Sequence, residues 1–339
     1  MGSRQQDNAI MVGFDELWKL FIRPPRDSYR YYDLGPTRFE IKDRTYQRTD
    51  FEVLNERSLT LKCSMFEPVE AERPTYQLPC VIYLHGNCSS RIEALGNVPI
   101  LLSRNMCVVC FDFSGCGKSE GKYISLGWFE KDDLACVIDH IRKSGRISKI
   151  GLWGRSMGAV TALLYLEKDA NISAVVMDSP FSDIHTLAGE IASHYAKIPT
   201  LITSATISLI RNAILTNGKF DIEEIQPIVA AKQCTVPALF LTANEDYFVR
   251  PRHSLLLFDR YRGDKSFDIF QGDHNSPRPY DVITRVAEFL TDRLETPKQV
   301  PRLSFHLQLE PQQLEEAGHR DADDEMFTVL ETEENGRSV

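Results

Sequence analysis

Long apolar runs are missing from this chain of 339 residues. The least polar extended stretch, Ile198 to Leu215, carries Arg211 among several Ser, Thr and Asn residues and makes a poor membrane span. No basic segment followed by an apolar core opens the chain, so no secretory signal is expected. Positive charge is also scarce: 39 Lys and Arg stand against 48 Asp and Glu, a formal −9, which argues against nucleic-acid binding through bulk charge. Internal repeats are absent, and no His, Cys, Asp and Glu cluster has metal-ligand spacing, so neither a metal nor a cofactor is expected. Eight cysteines in so long a chain do not make a disulfide scaffold, and Cys80, Cys107, Cys110, Cys136 and Cys234 fall inside apolar runs, as buried free thiols do. Cys107 and Cys110 have redox-motif spacing, yet they lie within an expected strand and not at a helix start. The expected setting is therefore reduced and cytoplasmic.

What is present is ample core material, 42% hydrophobic with 18 Phe and 12 Tyr, in an α/β pattern. Strands are expected near 50–54, 59–66, 80–84, 107–113, 149–153, 174–178, 238–243 and 265–270. Helical patterns fill 91–103, 128–143, 156–167, 252–261 and 279–294. Short β-branched runs alternating with helices predict a mostly parallel, doubly wound sheet with an antiparallel leading edge. In such sheets ligands bind beyond the carboxyl ends of the strands. Between Phe181 and Cys234 the alternation breaks into two helical segments, 184–197 and 199–215. Residues 1–48 form an N-terminal extension, 49–295 the main body, and 296–339 a tail expected to be disordered; from 297 onward it holds ten acids against four bases.

Gly154-Arg155-Ser156-Met157-Gly158, between a strand-like run and a helix-like one, has the form G-x-S-x-G of a nucleophile elbow. Such a turn exposes the serine oxygen, and side chains two residues to either side would collide with the neighbouring strand and helix. A serine hydroxyl is a weak nucleophile and needs an adjacent base. His274, in a Gly-x-His-Asn turn after the last strand, has the right position; His85, His140, His185, His194 and His253 are its competitors. Acids at strand ends are Asp246, its neighbour Glu245, and Asp178. The elbow also makes the Met157 N–H an oxyanion donor. Asp112 to Ser119 ends in Gly-Lys-Ser like a phosphate loop, but Asp112 stands where that motif has Gly, and no helix follows.

Ser156, an acid and His274 come in the order found in α/β-hydrolases. With His85-Gly86-Asn87 after the strand at 80–84, the chain resembles that superfamily over about residues 50–294. Phe21 to Arg26, Ser125 to Leu134, Gly151 to Val160 and Gly272 to Pro279 look more closely like α/β-hydrolases of plants and protists, similar to the serine-aminopeptidase-like and acyl-protein-thioesterase-like branch. The resemblance implies the α/β-hydrolase fold and a triad of Ser156, Asp246 and His274, with Asp246 chosen by the family's Asp-x-x-Val pattern. It also implies a second oxyanion donor at Asn87 and a small helical cap insert at about 182–234. It brings no agreed substrate. An ester or thioester hydrolase is the leading expectation; a serine peptidase or amidase, or a binding or scaffold protein that kept the fold, are the alternatives.

Two partner surfaces are also expected. Phe14, Leu17, Trp18 and Phe21 recur on one helix face beside Arg23-Pro24-Pro25-Arg26, so residues 14–26 could touch an anionic membrane surface or dock on the body. In the tail, Phe327 and Leu330 stand three apart behind Asp323-Asp324-Glu325, a pattern similar to short motifs that bind ubiquitin-like modifiers.

Overall fold

The computed structural model describes residues 17–23, 25–195 and 204–298. Its centre is a nine-stranded sheet made of β1 (Arg38–Ile41), β2 (Arg44–Leu54), β3 (Thr60–Pro68), β4 (Leu78–Leu84), β5 (Cys107–Phe111), β6 (Ile147–Arg155), β7 (Ala174–Asp178), β8 (Ala238–Ala243) and β9 (Lys265–Phe270). The spatial order is β1-β2-β3-β5-β4-β6-β7-β8-β9. The leading strands β1, β2 and β3 join antiparallel, up to and including the β3–β5 ladder, and every ladder from β4 onward is parallel. Parallel strands are covered on both faces and read as unbroken apolar runs. In β4 every residue is buried, Ile82 and Leu84 toward one core and Val81 and Tyr83 toward the other.

The first core is closed by α3 (Glu130–Lys143), α4 (Met157–Tyr165), α7 (Pro227–Gln233) and α8 (Pro251–Arg260). The second lies under α2 (Val98–Ser103) and α9 (Tyr280–Arg293). Because β4 has β5 on one side and β6 on the other, the chain changes winding direction between β4 and β6. A crevice at the carboxyl ends of those strands follows from that reversal.

Three sequence expectations shift. The sheet starts at Arg38, ahead of residue 49 where the body was expected to begin, because the β1–β2 hairpin was not foreseen. The helix expected over 91–103 opens as 3₁₀ turns, Arg91–Asn97, and becomes α2 only at Val98, where Pro99 in the first turn has no N–H to donate backward. Between β7 and β8 the described helices are α5 (Ile184–Tyr195), α6 (Ser204–Gly218) and α7, with a 3₁₀ turn at Ile222–Glu224. Helix α1 (Leu17–Ile22) contacts α6, and its Trp18 is buried edge-on against Tyr123 at 5.7 Å. Ile22 is fully buried and Phe21 half-buried on the core. Phe14 and the tail residues Phe327 and Leu330 lie outside the described residues. Among the described residues no helix is long and apolar enough to cross a membrane.

Candidate active site

The turn from β6 into α4 places Ser156 at φ 51°, ψ −115°, a left-handed backbone that a serine adopts only under constraint. The Ser156 N–H donates to the carbonyl of Asp178 at 2.7 Å, which pins the turn to the end of β7. Both elbow glycines are sterically required. A Cβ on Gly154 would stand 2.3 Å from the Gly158 carbonyl oxygen, and one on Gly158 would stand 2.1 Å from that of Leu84. The end of β4 therefore abuts the elbow, and a Cβ built on Gly86 would lie 3.8 Å from that of Ser156. Asn87 follows Gly86 directly; its side-chain oxygen accepts from the Cys88 N–H at 2.7 Å.

His274 Nε2 lies 3.2 Å from Ser156 Oγ, and His274 Nδ1 lies 2.7 Å from Asp246 Oδ2. Ser156 is 7%, His274 8% and Asp246 2% exposed, so the whole chain of contacts is largely shielded from solvent. Asp246 Oδ1 accepts from the N–H groups of Phe248 at 3.0 Å and Val249 at 2.7 Å. A carboxylate only accepts, so Nδ1 carries the proton toward Asp246 and Nε2 is left to accept from the serine. The Phe248 ring lies 5.0 Å from the imidazole and walls it on one side. Ser156, His274 and Asp246, more than a hundred residues apart at the extremes, are thus brought together.

Asp178, the alternative acid, is engaged elsewhere. Arg278 grips it in a fork, Nε to Oδ2 at 2.7 Å and Nη2 to Oδ1 at 2.8 Å, and the adjacent carboxylate keeps the buried guanidinium charged. Glu245 is exposed. The rival histidines are engaged as well. His85 contacts the Gly86 carbonyl through Nδ1 at 2.7 Å and accepts the Phe113 N–H through Nε2 at 3.1 Å. His140 stacks on Phe51, and His185 pairs with Glu223. His253 accepts from the Ser182 backbone at 3.2 Å and faces Glu190 at 3.2 Å. The side chain of His194 is outside the described residues.

The phosphate-loop and redox lookalikes are not built for those chemistries. Around Asp112 the carbonyls of Cys116, Gly117, Ser119 and Gly121 converge on the Arg26 guanidinium, the reverse of a phosphate cradle, where N–H groups converge on an anion. Burial pushes the thiols of Cys107 and Cys110 up to about 12 each, so neither forms the thiolate that redox chemistry uses.

Sequence reasoning gave no role to three residues that surround the contact chain. Glu93 accepts from the Gly86 N–H at 3.3 Å and the Tyr83 hydroxyl at 2.9 Å, and pairs with Arg155 at 3.3 Å. Arg155 and Arg278 both donate to the carbonyl oxygen of His274, at 2.7 and 3.2 Å. The only local signal was that Arg155 lies within the serine motif and Arg278 four residues after His274; Glu93 adjoins neither.

A family profile described as serine aminopeptidase S33 matches residues 78–223, from β4 through the elbow to the 3₁₀ turn before α7. The chain is 29% identical over 201 residues to the uncharacterized protein YqkD of Bacillus subtilis, covering 57% of this chain and 64% of that protein. It is 28% identical over 191 residues to the α/β-hydrolase domain-containing protein WAV2 of Arabidopsis thaliana, covering 55% and 58%. The chain thus spans less than two thirds of these relatives' own length. The Pyrococcus furiosus esterase Pf2001 superposes with a TM-score of 0.61 at 24% identity, covering 80% of this chain and 99% of that one, a likeness of fold. The chain has the α/β-hydrolase fold, and the profile and these relatives support a hydrolase of that superfamily. As expected of this superfamily, the sheet carries its helices on both faces and the elbow sits at the reversal of strand order.

Proposed function

We propose that this hydrolase cleaves a carboxylic ester or thioester by acyl transfer through Ser156, His274 and Asp246. The observation that supports this reading is the continuous contact from Ser156 Oγ through the imidazole to Asp246, an arrangement suited to His274 Nε2 acting as base. Ser156 Oγ attacks the acyl carbonyl while Nε2 takes its proton, and the oxyanion forms against the N–H groups of Met157 and Asn87. Asp246 stabilises the imidazolium. Collapse expels the alcohol or thiol, which takes the proton back from His274. Water then repeats the sequence, releasing the acid and the free serine. Each oxyanion donor is worth about 3 kcal/mol of transition-state stabilisation, and both here are backbone groups that side-chain replacement leaves in place.

The peptidase reading rests on the description of the matching family profile. A scaffold reading would leave the three side chains idle. Fluorophosphonate labelling combined with hydrolysis of p-nitrophenyl butyrate tests the proposal. Wild type labels and turns over, whereas Ser156→Ala does neither; equal labelling of both chains removes Ser156 as nucleophile.

A further inference from the structure

We propose that Arg155 and Arg278 are positioning residues that together set the place of His274, a role that rests on the reading of Ser156 and His274 above. His274 rides on an irregular loop between β9 and α9, so no ladder or helix fixes its backbone. Gly272 ties the start of that loop to Asn244 and Glu245 at 3.1 and 3.0 Å, and beyond it the carbonyl oxygen of His274 itself receives two guanidinium donors, Arg155 Nη2 at 2.7 Å and Arg278 Nη1 at 3.2 Å.

Each arginine is anchored to a different strand end. Arg278 is only 8% exposed in its side chain; it forks onto Asp178 at the tip of β7, donates also to the Ser276 carbonyl at 2.7 Å, and lies over the Phe270 ring at 4.9 Å. Arg155 immediately precedes Ser156, and its Nη1 pairs with Glu93, which also accepts the Gly86 N–H next to the Asn87 donor. Its Nη2 reaches the Asn275 side chain at 3.3 Å as well, while its Nε stays buried without a partner. The guanidinium is therefore oriented by the His274 loop and Glu93 and leaves one of its own donors unsatisfied.

Through these two planes, the nucleophile's turn, the oxyanion turn and the base's loop share one rigid frame. A lysine cannot reproduce it, because the frame needs a carboxylate and a carbonyl held at a fixed angle by one planar group. Displacing a reacting group by about 1 Å costs on the order of 100-fold in rate.

The test measures hydrolysis of p-nitrophenyl butyrate, the rate constant of fluorophosphonate labelling, and thermal melting on the full chain. One variant pairs Arg155→Gln with Glu93→Gln, which removes both charges and strands neither; the other is Arg278→Lys. The paired variant decides the matter if Arg278→Lys melts out. Expected are a melting temperature close to wild type, KM within about twofold, and kcat and the labelling rate constant each lower by about 10- to 100-fold. Unchanged kcat in the folded paired variant overturns the proposal. A loss confined to KM also overturns it, since the arginines would then be substrate contacts. Ser156→Ala in parallel separates the levels. If it still labels, the reading of Ser156 fails; if it is silent while the arginine variants keep full activity, only the positioning role fails.

Discussion

Ser156 holds a backbone that its own side chain resists. At φ 51°, ψ −115° the strain is of order 1–3 kcal/mol, whereas a glycine there adds about 0.5–1 kcal/mol of unfolded-state entropy. Strain is the larger effect, so Ser156→Gly is expected to melt above wild type while losing all hydrolysis, and Ser156→Ala to lose hydrolysis with no gain in stability. A Ser156→Gly chain that melts at or below wild type shows that the turn is unstrained. The two acids separate by the same logic. Asp246→Asn swaps the partner of Nδ1 and presents the wrong imidazole tautomer, at a loss on the order of 10⁴ in kcat. Asp178→Ala strands the buried Arg278 guanidinium, so its main effect is a loss of about 3–5 kcal/mol of stability. Activity assays and melting curves on the two variants check the assignment, which is reversed if Asp178→Ala keeps its melting temperature and Asp246→Asn keeps its kcat.

Among the elements, the elbow's neighbours are set by contact distances. Gly158→Ala would drive a methyl into the Leu84 carbonyl at 2.1 Å, and backbone on both sides leaves nowhere to yield. The expected outcome is loss of soluble, cooperatively melting protein. Gly96→Ala is the matched control, because nothing lies within 4 Å of its added Cβ; it should melt at or slightly above wild type, by up to about 1 kcal/mol. A Gly158→Ala chain as stable as Gly96→Ala would contradict the packing. The strands β7 and β8 coincide with the apolar runs that predicted them, since a strand covered on both faces leaves a run of one kind, whereas β9 keeps its expected bounds as a partly buried edge strand of mixed polarity. The β1–β2 hairpin was illegible for two physical reasons. Its strands are rich in charge and only partly buried, and its two-residue turn, Lys42-Asp43, puts Lys42 at φ 54° where glycine is the usual signal. Of the site, the serine and histidine were readable because each sits in a local motif. The Arg278–Asp178 fork spans a hundred residues and leaves no trace in spacing.

Across the whole molecule, segments far apart in sequence are tied to the body by polar contacts. Arg26 caps the carbonyls of the loop after β5, and Asp27 accepts from Ser90, so the residues before the sheet brace the turn that follows β4. On the other side, α5 is held to the body through His253 on α8. His253 Nδ1 accepts from the backbone and hydroxyl of Ser182 at the root of α5, and Nε2 faces Glu190 within it, with Arg250 and Arg252 also pairing to Glu190. Burial lowers the affinity of His253 for a proton; Glu190 and Asp183 oppose that shift and Arg252 adds to it, leaving the net direction downward. The unfolded chain, whose imidazole keeps its ordinary value of about 6.5, then binds the proton more readily than the folded protein. Stability attached to His253 is consequently present above about pH 6.5 and falls as the pH drops below it, the opposite of a histidine that gains a proton on folding. His253→Gln keeps a hydrogen-bonding side chain but removes the titration. Melting temperatures of wild type and His253→Gln, measured between pH 5 and 8, should converge at the acid end, with wild type losing more on the way down. Parallel curves across that range would mean that His253 does not couple proton uptake to the docking of α5.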